Sequence, residues 1–145
     1  AHNQMLAALR GRGRTPRKFF DLTAAERRQF LLTLERQGVY YLHGMDESAL
    51  LPSLCLYTQG EHGNTAAVFL SGPGPDLELS CAWSVQGGQN DLMGLLAYAA
   101  TQLPQEGTLR INAVTPTSAA IVDKLLPQRV ITARYYQAAW DMELY

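Results

Sequence analysis

Cysteine, histidine and charge are all scarce in this chain of 145 residues. Two cysteines, Cys55 and Cys81, are too few for a disulfide framework, which points to a reducing, cytoplasmic setting. The three histidines, His2, His43 and His62, have no cysteine or carboxylate partners at ligand spacing, so no metal site is expected. Charged residues make up 17% and the net charge is −1, which leaves no bulk attraction to nucleic acid or to a membrane surface. No apolar run approaches the ~20 residues that span a bilayer. The apolar cluster from Met5 to Leu9 is too short for a signal peptide and is followed by arginines. Nucleophile-elbow, phosphate-loop and dinucleotide fingerprints are missing too. Hydrophobic residues, by contrast, make up 47%, ample to offset the entropy of ordering one compact domain.

The small net charge hides an uneven distribution. Residues 1–36 carry eight Arg or Lys against three Asp or Glu, and the remainder carries four against ten, so a basic leader cancels an acidic body. Five of the cations, Arg10, Arg12, Arg14, Arg17 and Lys18, lie close together and are partly spaced by glycine. Residues 1–18 therefore read as a basic leader or linker, and residues 19–145 as the folded domain. A glycine-spaced arginine run also suits phosphate. No aromatic residues interleave with it to stack on bases, so nucleic acid is not expected as a partner.

Thr23 and Glu26 form a capping-box pattern that opens a helix over 23–37, with Phe30, Leu31 and Leu34 on its apolar face and Gly38 at its stop. Short strands are expected over 39–42 and 50–57, with Pro52 confining the start of the second to an edge. A turn over 60–64 and a strand over 65–71 complete a hairpin. After a second turn at 72–76, Leu77, Leu79, Cys81, Trp83 and Val85 alternate with Glu78, Ser80, Ala82 and Ser84. That is the period of two of a strand with one apolar face.

Leu92, Leu95, Leu96, Ala99 and Leu103 then fall on one helical face, capped by Asn90 or Asp91 and ended by Pro104. A strand over 108–114, a helix from Thr115 to about Leu126 and an aromatic-rich strand over 131–140 follow. A strand–helix–strand unit requires a right-handed crossover and a parallel pair, whereas the hairpins before it are antiparallel. The expected fold class is α/β (α+β): a mixed, mostly antiparallel central sheet flanked by helices in three layers.

Chemistry has one obvious place to sit. Val85, Gln86, Gly87, Gly88, Gln89, Asn90 and Asp91 join the best strand to the best helix. A glycine turn opening a helix offers unbonded amides and a positive dipole end to a phosphate. The same residues also suit an ordinary strand–helix turn. Cys55 and Cys81, both on expected strands, read as small core residues.

From Phe19 to Tyr145 the element order, the hairpin feeding the long strand and the joint at 85–91 resemble the GNAT N-acetyltransferase superfamily. The stretch from Leu109 to Pro127, with its alanines and the Lys124, Leu125 pair, resembles that family's late strand and helix. The resemblance implies a GNAT-like sheet and acetyl-CoA or another acyl-CoA as cofactor, held by Trp83, Val85, Gln86, Gly87, Gly88, Gln89 and Asn90. The pantetheine arm would lie between the strands at 77–85 and 108–114.

The family's loop usually reads Arg/Gln-x-x-Gly-x-Gly/Ala. Here no register restores it, so the pyrophosphate loop is degenerate. Val122 stands where many members carry the tyrosine that reprotonates the departing thiolate. Tyr135 and Tyr136 are left as candidate acids, and Glu78 as a candidate base. The implied function is acyl-CoA-dependent N-acetylation of a small-molecule or peptide amine. The alternative is a non-catalytic GNAT-fold structural or regulatory domain, one half of a tandem protein. Residues 1–18 would then be an interdomain linker, and the partner a second GNAT-like domain or a second copy of the chain.

Overall fold

The computed structural model describes residues 12–37, 47–72 and 76–103, the backbone of 109–111, and Gln4 and Ala8 individually. Among the described residues, the strands and longer helices run in the order β1 (Arg17–Lys18), α1 (Ala24–Arg36), β2 (Leu50–Gly60), β3 (Gly63–Ser71), β4 (Leu77–Ser84), α2 (Gln89–Gln102) and β5 (Leu109–Ile111). The strands form one sheet in the order β1-β2-β3-β4-β5. The first four are antiparallel to their neighbours, while β5 lies parallel to β4, with Leu77 opposite Leu109 and Leu79 opposite Ile111. The crossover through α2 is what permits that parallel pair. The expected strands at 39–42 and 131–140 and the expected helix from Thr115 lie outside the described residues, as do the stops at Gly38 and Pro104.

Local chemistry accounts for the helix starts. Thr23 accepts from the Glu26 amide, and the Glu26 carboxylate accepts from the Thr23 amide, so the capping box is closed in both directions. Phe30, Leu31 and Leu34 are the buried face of α1. Glu47 accepts a 2.7 Å bond from Arg27 Nε, tying the 3-10 turn before β2 to this helix.

Two cores sandwich the sheet. On one side α1 packs with Phe19 over Cys55, Tyr57, Ala67, Phe69, Cys81 and Trp83. On the other, Leu92, Leu95, Leu96 and Ala99 of α2 pack over Leu54, Leu56, Ala66, Val68, Leu70 and Leu79. Neighbouring residues of β3 alternate between the two cores, which is the signature of a sheet buried on both faces. The domain is therefore a mixed, mostly antiparallel sheet between helical layers.

The long strand departs from its sequence pattern. Its alternating apolar residues do not share a face: Leu77 and Leu79 join the α2 core, whereas Cys81 and Trp83 join the α1 core. The reason is a bulge. Phe69 pairs with Cys81 but the adjacent Leu70 pairs with Leu79, leaving Ser80 as an extra residue. Ser80 is buried, and its hydroxyl lies 2.9 Å from that of Ser71. The hydroxyl pair satisfies both polar groups inside the core.

Candidate functional site

The joint between β4 and α2 begins with a turn in which the Gly88 amide donates to the Val85 carbonyl at 2.9 Å. Gly87 takes φ +87°, the value that the third position of a type II turn requires and that glycine adopts without strain. Gly88 serves a different purpose. A Cβ built there would stand 2.7 Å from the Thr65 carbonyl oxygen, so only glycine lets the turn close onto β3. The Val85 amide donates to that same carbonyl at 2.9 Å, fixing the joint against the sheet.

Gly88 is the N-cap of α2 and contributes no side chain to its amides. Among the described residues, the amides of Gln89 and Asn90 meet no acceptor. Asp91 does not cap the helix as its position suggests. It stands third in the helix, and its side chain, 5% exposed, turns into the protein. Its Oδ1 accepts from the Arg14 amide at 2.8 Å. Its Oδ2 accepts from Arg14 Nη1 at 2.8 Å and from Thr65 Oγ1 at 2.6 Å. The Thr65 hydroxyl lies 2.7 Å from that of Thr58, which is fully buried. Burial pushes the Asp91 carboxyl up, but the Thr65 hydroxyl, the Arg14 amide and the Arg14 guanidinium together outweigh it and hold it below its ordinary value.

A second bulge aims Thr65 at this carboxylate. Thr58 pairs with Ala66, while Gln59 pairs with Asn64, so Thr65 is the extra residue of β3. Arg14 arrives from the basic stretch before β1. A Cβ on the neighbouring Gly13 would lie 2.8 Å from the Asp91 Cα, so the stretch packs backbone to backbone on the first turn of α2. Arg17 and Lys18 extend it into the sheet opposite Tyr57 and Leu56. Part of the basic stretch is thus folded structure.

The other candidates fall in different surroundings. Trp83 is buried against α1, and its indole N–H donates to Gln37 Oε1 at 2.8 Å. Val85 and Gln89 are half-buried, and Gln86, Gly87 and Asn90 are exposed. Glu78 is half-buried in β4, in register with Ser71 on one side and Arg110 on the other. Tyr135 and Tyr136 lie outside the described residues. Burial pushes the Cys55 thiol up to about 12 and the Cys81 thiol higher still, so both are core groups and neither is a poised nucleophile. No group of three or more His, Cys, Asp or Glu side chains among the described residues is placed to hold a metal. None of the described helices is long and apolar enough to cross a membrane.

Arg14, Thr65 and Thr58 were not legible as members of a site. Arg14 looks like one cation of a solvated run, and Thr65 like the first residue of an apolar strand. Only the fold brings them to Asp91, across 77 and 26 positions of sequence. In comparisons with known proteins the chain matches no family model, no curated protein and no solved structure.

Proposed function

We propose that the domain binds acetyl-CoA or another acyl-CoA through the joint at 85–91 and transfers the acyl group to an amine. The observation that carries this reading is the disposition of Asp91. As a cap it would place a negative charge where a pyrophosphate would lie. Folded inward and paired with Arg14, it leaves the uncapped first turn of α2 to an anionic ligand. The sheet order supports the same reading, because β4 and β5 run parallel and the joint lies at the end toward which β4 points.

The chemistry would be direct attack of the amine nitrogen on the thioester carbonyl. A nitrogen–carbon bond forms as the carbon–sulfur bond breaks, the amine loses a proton, and the thiolate takes one up. A backbone amide of β4 would stabilise the oxyanion. Glu78 is the candidate to receive the amine proton, and Tyr135 or Tyr136 to supply one to the thiolate.

A second reading rests on Gln89 and Asn90, whose side chains stand on the first turn where a pyrophosphate would need close approach to the backbone. In that reading the domain is a non-catalytic structural or regulatory unit. Calorimetric titration with acetyl-CoA separates the two. Saturable binding weakened about tenfold or more by Asn90→Asp is expected. That substitution adds a negative charge at an exposed position and favours the helix N-terminus, so loss of binding would not reflect loss of fold. No binding at millimolar acetyl-CoA would leave the non-catalytic reading.

A further inference from the structure

Between the β2–β3 hairpin tip and the basic stretch lies an open cleft of about 730 Å³, whose lining includes Arg14, Gln59, Glu61, His62, Asn64 and Thr65. We propose that this cleft is a binding site for a small ligand carrying a carboxylate, recognised by the outward edge of the Arg14 guanidinium. The proposal stands independently of acyl transfer.

Arg14 is fixed as a recognition arginine must be. One nitrogen, Nη1, is spent on the buried carboxylate of Asp91, and the side chain is otherwise 52% exposed. Gly60 supplies the second constraint: a Cβ there would stand 3.3 Å from Arg14 Cζ and 3.3 Å from Nη2. The guanidinium therefore packs against bare backbone with its rotamers already restricted. Among the described residues, Nε and Nη2 have no acceptor. A guanidinium has five N–H donors in a rigid fork, and a planar carboxylate matches a free edge with two parallel bonds. Because the arginine is ordered before binding, less side-chain entropy is lost when the ligand arrives.

Arg14 and Asp91 neutralise one another, and the lining also carries an acid, the exposed Glu61, and an imidazole, the exposed His62. Glu61 opposes a phosphate dianion more strongly than a monoanionic carboxylate, which needs only the one directed fork. The carboxamides of Gln59 and Asn64 add neutral donors and acceptors for the rest of the ligand.

The test uses the whole chain labelled with nitrogen-15, titrated with sodium acetate against sodium chloride and sodium phosphate at constant ionic strength. Acetate is expected to shift the Arg14 Nε–H and the Asn64 amide saturably, with weaker effects from phosphate and none from chloride. Arg14→Lys keeps a cation beside Asp91 but removes the fork, and should weaken acetate at least fivefold. Glu61→Gln lies on the exposed hairpin tip and should tighten it two- to fivefold, which keeps the proposal testable even if Arg14→Lys does not fold. Equal responses to acetate and chloride would overturn the proposal. So would a response centred on the Gln89 and Asn90 amides, tighter binding of phosphate than of acetate, or no tightening in Glu61→Gln.

Discussion

Arg14 grips Asp91 twice, through its backbone amide and through its guanidinium, both at 2.8 Å, so one residue of the basic stretch bonds both oxygens of the carboxylate at the start of α2. The two residues contribute unequally to the cost of separation. Asp91 is buried and cannot recover its lost hydration if Arg14 leaves, whereas Arg14 is half exposed and can.

Removing either partner should therefore destabilise the domain, and removing the cation leaves the more expensive orphan. Arg14→Ala removes the only charge paired with the buried carboxylate, leaving it the Thr65 hydroxyl and the backbone amide of residue 14, and is expected to cost about 3 kcal/mol. Asp91→Ala loses the charge-assisted bonds but strands a solvated guanidinium and two neutral donors, the Arg14 amide and the Thr65 hydroxyl, for about 2 kcal/mol. In the double variant the costs should be far from additive, because both changes delete one interaction. Urea unfolding of the four proteins measures the cycle. Additive costs would mean that the pair does not couple.

The pair also makes a pH prediction. The Asp91 carboxyl is held below its ordinary value, so its contribution to stability is complete above the unfolded carboxyl range near ~4 and is lost as pH falls through the folded value. Glu26 acts in the same sense, since the Thr23 amide and then the Thr23 hydroxyl favour its charged form. Urea midpoints of the wild type should fall between pH 5 and pH 2. Asp91→Asn cannot titrate at this position, so its midpoint should fall less steeply and approach the wild-type curve at the acid end. Parallel curves would remove Asp91 from the account.

Periodicity and capping reveal elements well where each decision is local. Thr23 and Glu26 announce their capping box, and the apolar face of α2 is visible in Leu92, Leu95, Leu96 and Ala99. The failures share one physical cause, an extra residue in a strand. Ser80 divides an unbroken alternation between two cores, and Thr65 turns a strand hydroxyl toward a helix. A bulge is set by the partner strand, and no pattern along a single strand reveals it. The same holds for Asp91, which has the residue type and position of a cap but finds stronger donors in the tertiary fold. The joint itself was legible as a place, and its clamp was not.

The buried thiols give a chemical test of the two-core arrangement. Cys55 and Cys81 both face the α1 side and are fully buried, with titration pushed well above the normal thiol range by loss of hydration. In native buffer at pH 8, neither should react with a disulfide reagent on the timescale of minutes, and both should react in urea above the unfolding midpoint. The native rate should follow the population of the open state, so Arg14→Ala should accelerate it by the factor that its loss of stability predicts. Rapid stoichiometric labelling of the folded wild type would contradict the packing of α1 over β2 and β4.

The adjacent glycines of the joint should respond to alanine for different reasons. Gly87 has a positive φ and open space around its Cβ position, so Gly87→Ala carries only backbone strain, on the order of 1–2 kcal/mol. Gly88 has an ordinary backbone conformation, but its Cβ would meet the Thr65 carbonyl oxygen at 2.7 Å. That oxygen already accepts the Val85 amide and belongs to the bulge that aims Thr65 at Asp91. Backbone cannot swing aside as a side chain can, so Gly88→Ala should cost more, roughly 3 kcal/mol or above, by forcing the joint off the sheet. Gly87→Asn should recover part of the loss seen in Gly87→Ala, because asparagine tolerates a positive φ better than alanine, whereas Gly88→Asn should not. Chemical denaturation of the four variants ranks them. An equal cost for alanine at the two positions would mean that the joint is free to move, and the contact between Gly88 and β3 would no longer explain why a glycine stands there.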